Sequence, residues 1–522
     1  MSRMFRAAGS ISAFTLLSRI FGLVRDSLMT TTLGAGWVQG TFLLAWTLPN
    51  LMRRLLGEGA LSASFVPAYA AARQRGQHEL ARELLAQVCG AVTAILLPIC
   101  AVVAVASLLV PAEWLPAAVE GGVDALRLLL LLNALLFPYA LPVCLSAVLS
   151  GALNTLGAFA LPAALPIVLN VFWIGALLLA PAFGLVEPTS IATFVAVCLC
   201  IGGVAQLLLV LLPLWRIGEL THLRLALPRR GTPAFTVFAT MGPTVLGMSL
   251  NQISSLLDML MAYAIIAPGA VTYIYLANRL LLFPHALTAM AVAVAVFPRL
   301  AAEATADDRT TLRRTLDQAA GATIFVTLPA ALGLIVLAED VVRVLFEGGQ
   351  FTAADVVPTV RTCACLVAGL PFLGLAQLYA RAFYAVGDTR TPPRVAGWLV
   401  LANAILNVTL LLATDLGTAG LALASSLSSL GNCVLLARAF RRHANPTAGT
   451  ALGAWLRAGV ATTAMCVVLP LLRSADADAS RLWRAVGNVA LPISVGMVVY
   501  FAAQWLLRSP ELEVLRRRKR RG

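Results

Sequence analysis

The run LLAQVCGAVTAILLPICAVVAVASLLV, residues 84–110, contains no charged side chain. At 1.5 Å per residue, about 20 apolar residues in a helix cross the ~30 Å hydrocarbon core of a bilayer. The run is apolar on every side rather than at alternate positions. With no water to satisfy them, its backbone N–H and C=O groups must bond within the segment, which selects the α-helix. A barrel strand would show alternating segments of about 10 residues. Working outward, comparable runs lie near 8–32, 37–57, 123–151, 159–181, 189–215, 235–265, 270–298, 318–338, 355–385, 392–413, 418–440, 451–473 and 484–507. An all-α polytopic membrane protein with 14 transmembrane helices is predicted.

Composition agrees. The 522 residues are 60% hydrophobic and 12% charged, with a mean hydropathy of +0.88, whereas a soluble domain carries about 25% charge. The net charge of +14 sits in short gaps between apolar runs and in the tail. It therefore reads as topology, not as nucleic-acid affinity. Loops after even-numbered runs carry Arg73, Arg75 and Arg82, then Arg216, Arg224, Arg229 and Arg230, then Arg299, Arg309, Arg313 and Arg314. Odd-numbered loops are neutral or acidic, with Glu113, Glu120, Glu187, Glu339, Asp340 and Asp415. The positive-inside rule then places both termini in the cytoplasm. The N-terminal run is broken by Arg19, Arg25 and Asp26, so it is kept as mature structure rather than a signal peptide. The nine cysteines all lie inside apolar runs with no CxxC pair, indicating neither a zinc site nor a disulfide framework.

The chain repeats itself at an offset of 231: Pro67 matches Pro298, Arg82 Arg313, Gln87 Gln318, Gly90 Gly321, Pro98 Pro329, Asp124 Asp355 and Pro162 Pro393. After a small insertion Leu169-Asn170-Val171 matches Leu406-Asn407-Val408. Six spans is an even number, so the halves enter the membrane in the same direction, as a parallel repeat with a cavity between them. The expected organisation is a first six-helix lobe at 1–232, a second at 233–446, an unrepeated helix pair at 447–510 and a basic cytoplasmic tail at 511–522.

A charge in mid-span costs about 2.5 to 3.5 kcal/mol on insertion scales, so such residues face a bundle interior or a watery cavity. In the first span Arg19 and Asp26 are seven apart and share a face, with Arg25 rotated away. In the second, Arg54 and Glu58 are four apart and can pair, whereas Arg53 points elsewhere without a local carboxylate and is the better ligand contact. The second half is sparser, with Asn251, Gln252 and Asp258 in the seventh span and Asn278 and Arg279 in the eighth. Guanidinium groups grip phosphate and carboxylate, so a cationic cavity implies an anionic ligand. The competing reading is that these arginines snorkel to head groups or make interhelical pairs. With a single lysine, at position 519, the chain has no Walker A motif and no Schiff-base lysine; its four histidines show no metal-ligand spacing. What remains is transport without ATP hydrolysis, not enzymatic chemistry.

The sequence resembles the MurJ (MviN) family of lipid II flippases, within the multidrug/oligosaccharidyl-lipid/polysaccharide exporter superfamily. The resemblance rests on Ser18-Arg19 with Gly22 and Arg25-Asp26, on Gly34-Ala35-Gly36, and on Leu48-Pro49-Asn50-Leu51-Met52-Arg53-Arg54 with Glu58-Gly59-Ala60 and Phe65-Val66-Pro67. Asn278-Arg279-Leu280, Phe346-Glu347 through Gly349-Gln350-Phe351, and Gly387-Asp388-Thr389-Arg390-Thr391-Pro392 extend it along the chain. It implies fourteen helices, in two six-helix lobes plus a terminal pair that forms a groove for a lipid tail. It also implies translocation of undecaprenyl-pyrophosphate-linked disaccharide-pentapeptide to the periplasmic leaflet of the bacterial inner membrane by alternating access. Substrate-binding positions would be Arg19, Arg25, Arg53 and Arg279, with Asp26, Arg54, Glu58 and Asn278 gating or orienting them.

The chain departs from the family where Gly40 replaces a usual aspartate, Thr47 a lysine and Asn278 an acid. No organic cofactor is expected; a sodium ion held by Asp258, Asn403 and Asn407, or the membrane potential, would drive transport. The expected partners are lipid II and membrane lipids, with transient contact to the cell-wall synthesis machinery, by a monomer that binds no nucleic acid. The alternatives are a flippase for another polyprenyl-linked glycan, a drug exporter of the same superfamily, an intramembrane glycan ligase or polymerase, and a non-transporting scaffold.

Overall fold

A computed structural model describes residues 2–55, 61–111, 114, 120–220, 227–287, 289–305, 310–443, 450–472 and 481–512. Glu58 and the tail from residue 513 onward therefore lie outside the described residues. The helices are α1 (Ser2–Leu33), α2 (Trp37–Met52), α3 (Leu61–Gln74), α4 (His78–Leu109), α5 (Gly122–Leu136), α6 (Ala140–Thr155), α7 (Ala160–Leu179), α8 (Pro188–Arg216) and α9 (Pro233–Met261). They continue with α10 (Ala270–Leu287), α11 (Ala289–Ala304), α12 (Thr310–Phe346), α13 (Ala353–Val367), α14 (Leu370–Ala385), α15 (Thr391–Ala413) and α16 (Thr418–Phe440). The last are α17 (Thr450–Val468), α18 (Arg481–Arg484) and α19 (Leu491–Leu506). Among the described residues there is no strand, only one isolated bridge between Gly348 and Phe351.

Among the described residues, ten helical stretches are long and apolar enough to cross a membrane, counting Gly122–Thr155 and Ala353–Ala385 as one each. The expected spans outside that set correspond to α1, α2, α9 and α10, the helices bearing Arg19, Arg25, Asp26, Asp258 and Arg279, with Arg53 just past the end of α2.

The residues form two compact units dividing between Thr272 and Tyr273, with Gly348–Phe351 joining the first. In the first, α1 packs on α7, α7 and α6 on α8, α2 on α5, and α9 runs along α2, α3 and α4. The packing of α9 is why this unit extends beyond 232, where the sequence repeat begins again. In the second, α12 meets α13 and α17, α16 meets α13, α14 and α15, and α17 meets α19.

Local chemistry recurs at matching places. In the first unit α6 ends with Leu156 N–H on Ala152 O and Ala158 N–H on Leu153 O around Gly157 at φ +83°. In the second, α14 ends with Val386 N–H on Ala382 O and Asp388 N–H on Phe383 O around Gly387 at φ +81°. Both are left-handed glycine stops. Asp388 then starts α15 by accepting from the N–H groups of Arg390 and Thr391 and the Thr391 hydroxyl. The Gly387–Pro392 motif is thus one helix stop followed by one helix start.

The unrepeated C-terminal helices dock through a defect in α12. Pro329 has no N–H, so the Phe325 carbonyl four residues earlier loses its helical donor. The Tyr500 hydroxyl of α19 donates to that carbonyl at 2.6 Å, and Gln504 donates to the Tyr500 oxygen at 2.8 Å. Arg457 of α17 pairs with Glu511 at 3.0 Å.

Candidate functional site

In the first unit Arg25 and Asp26 are both buried, 7% and 2% exposed. Isolated burial of either charge would cost several kcal/mol. Arg25 Nε and Nη2 donate to Asp26 Oδ1 at 2.9 and 2.6 Å, and Nη1 donates to Asn170 Oδ1 of α7 at 3.1 Å. The guanidinium carbon also stands 4.3 Å from the Trp173 ring centroid. The Asn170 amide in turn donates to the Ser18 carbonyl of α1 at 3.2 Å. The seven-residue spacing predicts a common face for Arg19 and Asp26, but Asp26 is buried while Arg19 is exposed. The neighbouring guanidinium, itself held by α7, draws the Asp26 carboxylate inward. Asn170 and Trp173 are the residues missed by sequence reasoning. Asn170 did surface there, though only as a marker of the repeat.

Arg53, half-buried, donates through Nε to Asn50 Oδ1 at 3.1 Å. This explains the Asn50 of the Leu-Pro-Asn motif as an orienting group one helical turn away. Arg54 is exposed and donates to Gln252 Oε1 of α9 at 3.0 Å. Its expected partner Glu58 lies outside the described residues. Thr47, at the place of the family's lysine, donates to the Leu43 carbonyl at 2.8 Å and lies 3.2 Å from Met259 Sδ of α9.

Backbone meets backbone in a tight corner of this unit. A Cβ on Gly40 would fall on the Pro268 carbonyl oxygen, one on Gly269 would fall on the Ala35 carbonyl oxygen, and one on Gly349 on that of Thr31. The Gln350 N–H donates to the Thr31 carbonyl at 2.8 Å. Glu120 Oε2 accepts from the Gly269 N–H at 3.4 Å, so a carboxylate stands at the positive end of α10. Beside it, the Thr41 hydroxyl and Tyr263 hydroxyl are 3.3 Å apart. Gly40, a departure from the family pattern, is the point where backbone meets backbone.

In the second unit Asn278 and Arg279 are half-buried on α10, and the Asn278 amide donates to the Ile274 carbonyl at 3.1 Å. Asn407 Nδ2 donates to Asn403 Oδ1 at 3.3 Å inside α15. Asp258 lies on α9 of the first unit and the asparagine pair on α15 of the second. Among the described residues no three His, Cys, Asp or Glu side chains gather as a metal site.

A family model described as lipid II flippase MurJ matches residues 29–481. The chain is 31% identical over 521 residues to a probable lipid II flippase MurJ of Vibrio cholerae serotype O1, covering 97% of this chain and 96% of that relative. It is 32% identical over 476 residues to lipid II flippase MurJ of Burkholderia cenocepacia, covering 89% of each. A solved structure of lipid II flippase MurJ in an inward closed conformation superposes with a TM-score of 0.77 at 24% identity, covering 95% of this chain and 98% of that one. An inward-facing multidrug resistance MATE transporter of the MOP superfamily superposes at 0.59 with 15% identity, over 87% and 98%. At these identities the superpositions show a shared all-helical fold, while the family match and the relatives go further. This polytopic membrane protein belongs to the MurJ family of lipid II flippases.

Proposed function

We propose that the chain carries lipid II, the undecaprenyl-pyrophosphate-linked peptidoglycan precursor, from the cytoplasmic to the periplasmic leaflet of the inner membrane by alternating access. The observation that carries this reading is the family match over 29–481, on a chain that bears Arg19 and Arg279 within apolar helices and Arg53 at the end of its second span. Pyrophosphate and peptide carboxylates suit guanidinium groups, which bond anions through fixed, paired donors. Arg19, Arg53 and Arg279 are the head-group ligands, and Asn50 and Asn278 sit beside two of them as orienting groups. Counting α1, α2, α9 and α10 with the ten long apolar stretches gives fourteen spans in two six-helix lobes and a terminal pair. Both termini are then cytoplasmic. The protein works as a monomer and meets the cell-wall synthesis machinery transiently. Sodium at Asp258, Asn403 and Asn407, or the membrane potential, supplies the drive. A melting curve independent of sodium in both wild type and Asp258→Ala removes the ion from this scheme.

The test is depletion of the protein in its own cells, followed by measuring how much lipid II a cleaving enzyme added from the periplasmic side can reach. Accessible lipid II falls while the total pool rises. Arg54→Ala restores access and Arg53→Ala does not. Unchanged accessibility on depletion overturns the reading and directs attention to other undecaprenyl-linked glycans.

A further inference from the structure

Arg25 has the location of a transport ligand and the surroundings of a structural one. Its guanidinium donates to Asp26 and Asn170 and lies over Trp173, inside the first unit. An anion competing for it would have to displace a carboxylate already 2.6 Å away. Arg19 on the same helix is exposed. Ser18, Gly22 and Arg25 follow one another at i, i+4 and i+7, so they form one stripe of α1. Gly22 is buried on that stripe, and α1 packs on α7. Asn170 touches both ends of the stripe, donating its amide to the Ser18 carbonyl and accepting from Arg25 with its oxygen. One side chain of α7 therefore bonds α1 at two points along that stripe. Arg19 is about 100° round the helix from Ser18, so the direction in which it is presented follows from the rotation of α1.

We propose that Asn170 and Trp173 are positioning residues for transport, and that Arg25 works with them as a tethered internal cation. In this arrangement Arg25 holds α1 to α7, and head-group binding is left to Arg19, Arg53 and Arg279. The inference rests on the flippase reading for its transport readout, but its structural readout needs no substrate. Arg25 and Asp26 neutralise one another, so this pair adds no net charge to the site. Trp173 supplies a ring face that an aliphatic side chain cannot replace.

The test uses the purified full-length protein in two measurements. Hydrogen exchange of the α1 amides reads the docking of α1. Lipid II translocation in liposomes reads half-saturation separately from maximal rate. Asn170→Ala raises α1 exchange and lowers the maximal rate, each by roughly tenfold or more, as expected when a charged group loses a hydrogen-bond partner. Its half-saturation stays within about twofold, because the ligating arginines remain. Arg53→Ala does the opposite, raising half-saturation and leaving α1 exchange as in the wild type. Trp173→Phe retains function and Trp173→Leu behaves like Asn170→Ala, which keeps the test decisive if Asn170→Ala does not fold. The proposal is overturned if Asn170→Ala or Trp173→Leu matches the wild type in exchange, or if either raises half-saturation as Arg53→Ala does. A wild-type protein that moves no lipid II sinks the flippase reading instead, while the exchange data still judge the docking of α1.

Discussion

The substitution Gly40→Ala probes the corner where α2 meets the turn between α9 and α10. A Cβ at residue 40 lands on the Pro268 carbonyl oxygen and 3.1 Å from the Gly269 nitrogen. Both are backbone atoms, so no side chain can rotate away to make room, and the corner itself must move. Adding a methyl group to a well-packed place costs about 1 to 3 kcal/mol, occasionally more. Spent on one conformation and spared in another, that energy lowers the population of the closed corner by roughly 5- to 150-fold. The neighbouring contacts must loosen with it, because Gly269 and Gly349 approach the carbonyls of Ala35 and Thr31 in the same corner. The assay is amide exchange at residues 31–40, 269–272 and 350, where the Gln350 N–H on Thr31 serves as reporter. Protection there should fall by that factor, while α12 and α16 keep theirs. Gly36→Ala is the control, since a Cβ at residue 36 meets nothing within 4 Å. If Gly40→Ala retains wild-type protection and translocation, backbone contact at this corner does not govern its closure.

Three further outcomes are expected. Tyr500→Phe leaves the Phe325 carbonyl without its donor and costs about 1 to 3 kcal/mol in denaturant unfolding; in a Pro329→Ala background, where residue 329 regains an N–H, the same change costs less, and equal costs in both backgrounds refute the account. Glu219, 4% exposed, accepts from Tyr69 at 2.9 Å and Arg73 at 2.8 Å, with Arg82 at 3.8 Å. Burial and then the Glu219 carboxylate push the Tyr69 phenol above its ordinary value, so it stays a donor at physiological pH. Glu219→Gln should lose roughly 1.5 to 3 kcal/mol, the worth of a hydrogen bond to a charged group, and less when Arg73→Ala is already present, as a double-mutant cycle would show. At Asp388 the Thr391 hydroxyl, then the Thr391 and Arg390 N–H groups, hold the carboxylate below its usual value of 3.8. A lowered carboxylate contributes stability that is present above the unfolded value and lost as pH falls through the folded one. Asp388→Ala therefore costs about 1 kcal/mol at pH 7, and melting curves of mutant and wild type converge as the pH drops below that value; a gap that persists in acid counts against the capping role.

The helical class and the positions of the apolar stretches were legible because hydrocarbon leaves the backbone no alternative, so composition alone speaks for geometry. Glycine stops recur at the ends of α6 and α14, at Gly157 and Gly387. The site was legible only in part. The depth of Arg19, Arg53 and Arg279 along their runs nominates them as head-group ligands, and depth is a property of one segment. The partners of Arg25 are not such a property, because Asn170 is 145 positions away and only the packing of α7 on α1 brings it there. The carboxylate at i+1 is one partner of Arg25, and Asn170 is the other.

Gly40 shows a different limit. A missing aspartate registers in sequence as something lost, yet a side chain at residue 40 has no room against the Pro268 carbonyl. Tyr500 shows a third, since its partner is a carbonyl made available by a proline four residues along, and side-chain patterns carry no record of carbonyls. In each case the decisive contact joins a side chain, or its absence, to distant backbone. The cationic ligands of a transporter of this family can be nominated by charge and depth, whereas the residues that aim them must be sought where buried polar groups meet the main chain of a neighbouring helix. By that criterion Asn170 precedes any other residue in the first unit, since it alone bonds both the backbone beside Arg19 and the side chain of Arg25 among the described contacts.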